Sequence, residues 1–352
     1  MAETSAVTIS PADLKSWASR IFERAGLPPA EAADAADVLV SANLRGVDSH
    51  GVLQLAGKAR RVLSGAMNAR PSPRIERDGP AALLVDGDNG VGMVVGAWAM
   101  RRAIERAREN GVAFAAVRRS NHFGMGAYYG QMAAAENMIG LCGTNTSAIM
   151  APWGSVTPYL GTNPLVVAVP GGIEGGLVLD MATSQVAWGK VEVAARAGQK
   201  IPLTWATDRD GRPTDDPNEG MRGMMLPLGG YKGYGLSLMI DVLSGVLSGA
   251  GFGTHIADFY LQADQPEDVG HFFVALDVSR FMPLPLFLAR VEQMVSEIRA
   301  CQPAEGVARI YVPGEIEAET AARRRREGIP LPADMVRDLR ALAEELGEPF
   351  PG

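Results

Sequence analysis

Ser120-Asn121-His122-Phe123-Gly124-Met125-Gly126 joins two contrasting patterns. The apolar run at residues 112–117 leads in with the character of a buried strand, and a helical pattern over residues 127–137 leads out. A histidine is thereby set in a small, polar, glycine-hinged turn at a strand's C-terminal end. Open α/β sheets present ligand-contacting side chains there, because the loop reaches a crevice that the scaffold holds rigid. His122 is therefore a candidate proton donor and acceptor.

Upstream, residues 82–86 form a short apolar run, residues 87–92 a turn cluster, and residues 93–110 a helical pattern with charges on its outer face. This β-turn-α unit carries Gly90, Gly92 and Gly96, and a similar set follows at Gly124, Gly126 and Gly130. Neither matches G-x-G-x-x-G, and no ribose-binding acid follows at the right interval, so an ordinary Rossmann site is not expected. Helix-packing glycines account for both sets. Further out, Ser10-Pro11-Ala12-Asp13 opens a helix with a capping hydroxyl, a first-turn proline and an acid at the positive end. A second helix runs from Pro29 toward Gly46, giving an N-terminal helical unit. It ends at Arg45-Gly46-Val47-Asp48-Ser49-His50-Gly51. Neighbours in an extended segment point oppositely, so Ser49 and His50 are not expected to form a hydrolase dyad. Each can still touch a ligand, or simply satisfy a helix C-cap. Two prolines at residues 70–73 mark a boundary.

Downstream, strands are expected at residues 138–144, 165–169 and 177–179, with polar turns at 144–148 and 161–164. The last strand ends at Asp180-Met181-Ala182-Thr183-Ser184, where small and hydroxylated residues let a cofactor approach, or where Asp180 or Ser184 caps a helix. Residues 204–220 read as a solvated loop whose aspartates miss the calcium pattern. Leu226-Pro227-Leu228-Gly229-Gly230-Tyr231-Lys232-Gly233-Tyr234-Gly235 precedes an apolar helix at 236–247. Free amides and Lys232 on that helix-entry loop suit an anion, although the P-loop spacing is absent and Lys232 could equally be surface charge. His271 starts a late strand. Four arginines at 323–326 point all round a helix and read as solvated surface.

With 33 basic and 40 acidic residues, the net charge of −7 argues against a general nucleic-acid or anionic-membrane surface. Two distant cysteines give no disulfide framework or thiolate metal site, no H-x-x-x-H pattern suggests zinc, and no metal is expected. The first residues lack a secretory pattern, and no apolar run approaches ~20 residues, so a cytoplasmic protein is expected.

Taken in order, residues 45–51, 120–124, 161–164, 180–184, 227–235, 270–281 and 313–315 resemble the malate/L-lactate dehydrogenase family of NAD(P)-dependent oxidoreductases. That family includes ureidoglycolate, sulfolactate and diketogulonate enzymes and cyclic-imine reductases. The resemblance implies an α/β, non-Rossmann NAD(P)-binding fold with a mixed central sheet and a helical N-terminal unit. Expected divisions are residues 1–75, packing with 270–352, and a cofactor-binding unit at 76–269. It implies His122 as general acid/base, Ser49 and His50 facing a small carboxylate substrate, and a homodimer. Thr146, Asp180, Met181, Ala182, Lys232, Pro313, Gly314 and Glu315 would line NAD or NADP. Gln54 stands where the family usually shows an arginine and Lys58 where it shows an aromatic. Gln54 cannot offer arginine's charged fork to a carboxylate, and Lys58 could supply that charge. A 2-hydroxy/2-oxo acid dehydrogenase is the leading expectation; a cyclic-imine carboxylate reductase and a non-catalytic cofactor-binding homologue are the alternatives.

Overall fold

The computed structural model describes residues 6–259 and 261–352, with Arg196 described by its backbone alone. The Ser10 hydroxyl accepts from the Asp13 N–H at 3.1 Å, and Pro11 opens α1 (Pro11–Ala25), which follows β1 (Val7–Ile9). α1 buries Leu14, Trp17, Ile21 and Phe22, the face its periodicity marks. Next come α2 (Pro29–Leu44), two 3-10 turns at Asp48–His50 and Val52–Gln54, and α3 (Leu55–Leu63). The middle of the chain contains β2 (Arg74–Asp78), β3 (Ala82–Asp86), α4 (Gly92–Asn110), β4 (Val112–Ser120) and α5 (Ala127–Ala135). It continues through β5 (Met138–Thr144), β6 (Leu165–Val169) and β7 (Leu177–Met181). An excursion holds α6 (Trp188–Arg196), β8 (Ala206–Thr207), α7 (Pro217–Arg222) and β9 (Met224–Met225). Then α8 (Tyr231–Asp241) runs into one π-type turn at Val242–Val246. The remaining elements are β10 (Val269–Asp277), α9 (Leu284–Ala300), α10 (Glu315–Glu327), β11 (Ile329–Leu331) and α11 (Ala333–Leu346).

Seven strands make a mixed sheet in the order β2-β3-β4-β10-β5-β6-β7. Only β3 and β4 are parallel, and α4 crosses between them. β10 is antiparallel to both β4 and β5, so a strand from late in the chain holds the middle of the sheet. Alternate residues Ala113, Ala115 and Val117 of β4, Phe273 and Ala275 of β10, Cys142 of β5 and Val166 of β6 share one buried face with α4 and α5. A separate core joins α1, α2 and α3 to α11, and β1 pairs with β11 beside it.

Both glycine sets are packing glycines. A Cβ at Gly96 would lie 3.0 Å from the Tyr129 ring, and one at Gly130 would lie 2.9 Å from Ala168. Three sequence expectations are corrected. β7 runs two residues past Leu179, so Asp180 and Met181 belong to the strand, Asp180 opposite Val166. The apolar helix starts at Tyr231, five residues earlier than read, which sets Lys232 in its first turn instead of on the loop. Residues 204–220 also contain β8 and most of α7, the latter capped by Asp216 accepting from the Asn218 N–H at 2.8 Å. Among the described residues, no helix is long and apolar enough to cross a membrane.

Candidate active site

The His122 turn is held from beneath. The Asn121 side-chain amide donates to the Gly90 carbonyl at 2.8 Å and to Asn89 Oδ1 at 3.0 Å. Its own Oδ1 accepts from the Glu267 N–H at 3.3 Å. Gly92 lies so close to the Asn121 carbonyl that any side chain there would overlap it. Gly124, at φ +80, takes a left-handed conformation that lets the chain swing into α5. His271, expected as a strand-start residue, is instead the third residue of β10 and fully buried. Its ring nitrogens lie 2.9 Å from Ser120 Oγ and 2.8 Å from Thr144 Oγ1, and it stacks on Phe123 at 4.9 Å.

Around His122 converge groups from four distant segments. The fully buried Lys58 of α3 brings Nζ to 3.2 Å from His122 Nδ1 and donates to the His122 carbonyl at 2.9 Å. Glu267 Oε2 accepts the His122 backbone N–H at 3.0 Å, while its Oε1 lies 3.5 Å from Arg61 Nε. The His50 ring is 5.7 Å from the His122 ring, and the Phe259 ring lies 5.5 Å from Lys58 Nζ. Burial, reinforced by Lys58, His50 and His271, holds the His122 imidazole well below its usual range, so it is neutral at pH 7. Burial and Lys58 push His50 down to about 4. Burial lowers Lys58 to about 8 against the pull of Glu267, with Arg61 adding to the fall, and leaves it mostly charged at neutral pH. Burial raises the Glu267 carboxyl, offset in part by Lys58, Arg61 and the His122 N–H. Two cations, Lys58 and Arg61, thus face the Glu267 carboxylate, on which Asp258 also acts.

The Ser49-His50 segment departs from the expected extended geometry. The 3-10 turn brings Ser49 Oγ to 3.0 Å from His50 Nδ1. Its anchor comes from the arginine run: Arg324 is a mostly buried group instead of solvated surface, correcting the reading of residues 323–326 at that position. Its guanidinium forks onto Asp48 at 2.7 and 3.0 Å and also donates to the Asn43 carbonyl. Gln54 Nε2 donates to the Ser49 carbonyl at 2.9 Å, which commits that amide to shaping the same turn. Neither Arg324 nor Glu267 was singled out by sequence reasoning. Both lie more than a hundred residues from their partners, and no local pattern marks them.

The segments expected to line a cofactor meet around the end of β7. Thr146 Oγ1 accepts from the Thr162 N–H at 3.1 Å, so the two polar turns lock together. Thr183, just beyond Ala182, donates its hydroxyl to the Thr162 carbonyl at 3.0 Å and accepts the Leu228 N–H at 2.8 Å, which draws in the loop before Lys232. Lys232 itself is exposed. The Pro313 carbonyl accepts the Val178 N–H at 3.0 Å, and Gly314 packs against Val178. Two of the expected acids are occupied by protein. Asp180 Oδ2 accepts the Ala127 N–H at 2.7 Å, capping α5 rather than the following helix. Although Asp180 as a residue reaches the surface, burial of its carboxyl end pushes it up to about 6, against the pull of that N–H and Arg45. Glu315 accepts from Arg299 at 2.6 Å, Arg309 at 2.7 Å and the Val312 N–H at 3.0 Å. Glycine hinges and an exposed cation at the start of an eleven-residue helix fit a phosphate-bearing cofactor.

A model of malate/L-lactate dehydrogenase matches residues 9–340. A malate dehydrogenase of Pyrococcus abyssi is 41% identical over 350 residues, covering 97% of this chain and 95% of its own. The NAD(+) ureidoglycolate dehydrogenase of Escherichia coli O157:H7 is 38% identical over 312 residues and 89% of each chain. Among solved structures, malate dehydrogenase from Entamoeba histolytica superposes with a TM-score of 0.94 at 33% identity, covering 99% of this chain and 100% of that one.

Proposed function

The chain belongs to the malate/L-lactate dehydrogenase family, and from that premise we propose that it interconverts a small 2-hydroxy acid and its 2-oxo acid with NAD or NADP. His122 holds the proton that the substrate oxygen gains or loses. The observation that carries this reading is the orientation of that imidazole: with Nδ1 accepting from the Lys58 ammonium, the ring hydrogen of the neutral form sits on Nε2. The charge of Lys58 beside His122 supports a carboxylate on the substrate, with Ser49 and His50 beside it and Gln54 shaping their turn. Lys232 at the start of α8 would hold the cofactor's phosphates, and Thr146, Asp180, Met181, Ala182, Pro313, Gly314 and Glu315 would line the rest. The nicotinamide, when bound, supplies or takes the hydride.

Leu236, Met239, Val242, Val246 and Leu247 leave an exposed apolar stripe along α8 and its π-type turn, which supports a homodimer through that face. The free thiols of Cys142 and Cys301 suit the cytoplasm.

A coupled screen of pyruvate, oxaloacetate and a cyclic imine carboxylate with both reduced cofactors tests the assignment. Rapid reduction of the imine with none of the oxo acids would move the chain to the cyclic-imine reductases. Cofactor binding without hydride transfer to any would make it a non-catalytic homologue. His122→Ala should lower turnover ~100-fold or more while leaving the cofactor Kd unchanged.

A further inference from the structure

A neutral imidazole is a poor acid by itself. Releasing the Nε2 hydrogen alone would leave an imidazolate, far too basic to form at neutral pH, so the other ring nitrogen must gain a proton in the same event. Lys58 is the group in position to give it. Its Nζ is 3.2 Å from Nδ1 and is steadied by a second bond to the His122 carbonyl at 2.9 Å, both from a side chain with no exposure to solvent. An ammonium has donors only, so the direction of that bond is fixed.

We propose that Lys58 is the positioning residue that locks the His122 tautomer and supplies, through the imidazole, the proton consumed when the 2-oxo acid is reduced. The inference rests on the dehydrogenase reading above. In the reductive direction the carbonyl carbon accepts a hydride from the reduced nicotinamide and the carbonyl oxygen takes the proton from His122 Nε2. The Nε2–H bond breaks as one Nζ–H proton passes to Nδ1. The products are the hydroxy acid, oxidised nicotinamide, a neutral imidazole of the opposite tautomer and a neutral Lys58 amine; a proton taken up at Nε2 after product leaves, with the Nδ1 proton returning to Nζ, restores both groups. Oxidation runs the same transfers backward, and Lys58 is the acceptor.

The surroundings suit a lysine that gives and takes a proton. Glu267 and Arg61 face it from the loop before β10 and from α3, His50 from the 3-10 turn, and His271 lies behind the His122 turn. Asp258 bears on Glu267. Their balance, with burial, keeps Lys58 charged at neutral pH yet able to release its proton near pH 8.

The test compares wild type, Lys58→Arg and Lys58→Met between about pH 6 and about pH 10, the range in which a lysine lowered to about 8 changes charge. Wild-type reductive turnover should fall above about pH 8 as Lys58 loses its proton, and oxidative turnover should rise over the same range. Lys58→Arg keeps the charge but cannot release a proton, so reductive turnover should drop ~10-fold or more and lose that alkaline limb. Ring nitrogen NMR of the unliganded proteins gives a readout independent of activity. Wild-type His122 should carry its hydrogen on Nε2 at pH 7, and Lys58→Met should show mixed tautomers. A wild-type reductive profile flat to about pH 10, an unchanged alkaline limb in Lys58→Arg, or a His122 hydrogen on Nδ1 at pH 7 would overturn the relay. If wild type turns over no oxo acid at all, the dehydrogenase reading fails, and the ring signals still decide the tautomer lock.

Discussion

Arg324 sits in a run of four arginines, yet it fastens α10 to the turn that presents Ser49 and His50. Its fork onto Asp48 is charge-assisted at both ends, and such bonds contribute about 1.5–3 kcal/mol. Arg324→Ala should therefore cost ~2 kcal/mol in urea denaturation and raise KM more than it lowers kcat. An unchanged KM would mean that the turn holds its shape alone. Lysine should restore little of this, since it lacks the planar fork. His271 makes a different residue-scale case. Burial lowers it from an unfolded value near 6.5 to about 3. Its contribution to stability is fully present above about pH 6.5 and is lost as pH falls toward 3, by at most about 1.4 kcal/mol per pH unit. The stability gap between wild type and His271→Gln should accordingly narrow from pH 8 to pH 5, and a gap constant with pH would show that His271 is not buried neutral.

At the scale of elements, the first turn of α4 and the His122 turn are pressed together through Gly92. Gly92→Ala should force the two apart, costing about 1–3 kcal/mol by overpacking and lowering turnover as His122 moves from Lys58. Thermal denaturation together with kcat would check it; a variant with wild-type values in both would deny that the contact is tight. The sequence revealed β5 and β6 because each is an apolar run bounded by turn residues, and α1 because its cap and buried face agree. It concealed β2, whose Arg-Ile-Glu-Arg-Asp has one apolar residue and lies at the sheet edge. The two-residue strands β8 and β9 are too short for any periodicity to show. The strand-turn-helix setting of His122 was legible because an apolar run leads into the turn and a helical pattern leads out of it. Lys58 was marked as a charge for the substrate, but its contact with His122 was not legible, nor was the fork of Arg324 onto Asp48, because a charged side chain reads as solvated until tertiary structure supplies a buried partner.

The whole molecule leaves the stripe on α8 uncovered, with Met239 and Val246 each more than half exposed. Met239→Asp with Val246→Asp should convert the proposed dimer to monomers in sedimentation velocity, and a wild type already monomeric would remove that interface. The sheet order carries a consequence for how the chain is made. β10 separates β4 from β5, so before residue 277 leaves the ribosome the triplets β2-β3-β4 and β5-β6-β7 share no hydrogen-bonded border. The facing rims of β4 and β5 stay bare until β10 arrives to seam the two triplets together. The interval in between is when a nascent chain is most open to pairing with a stranger.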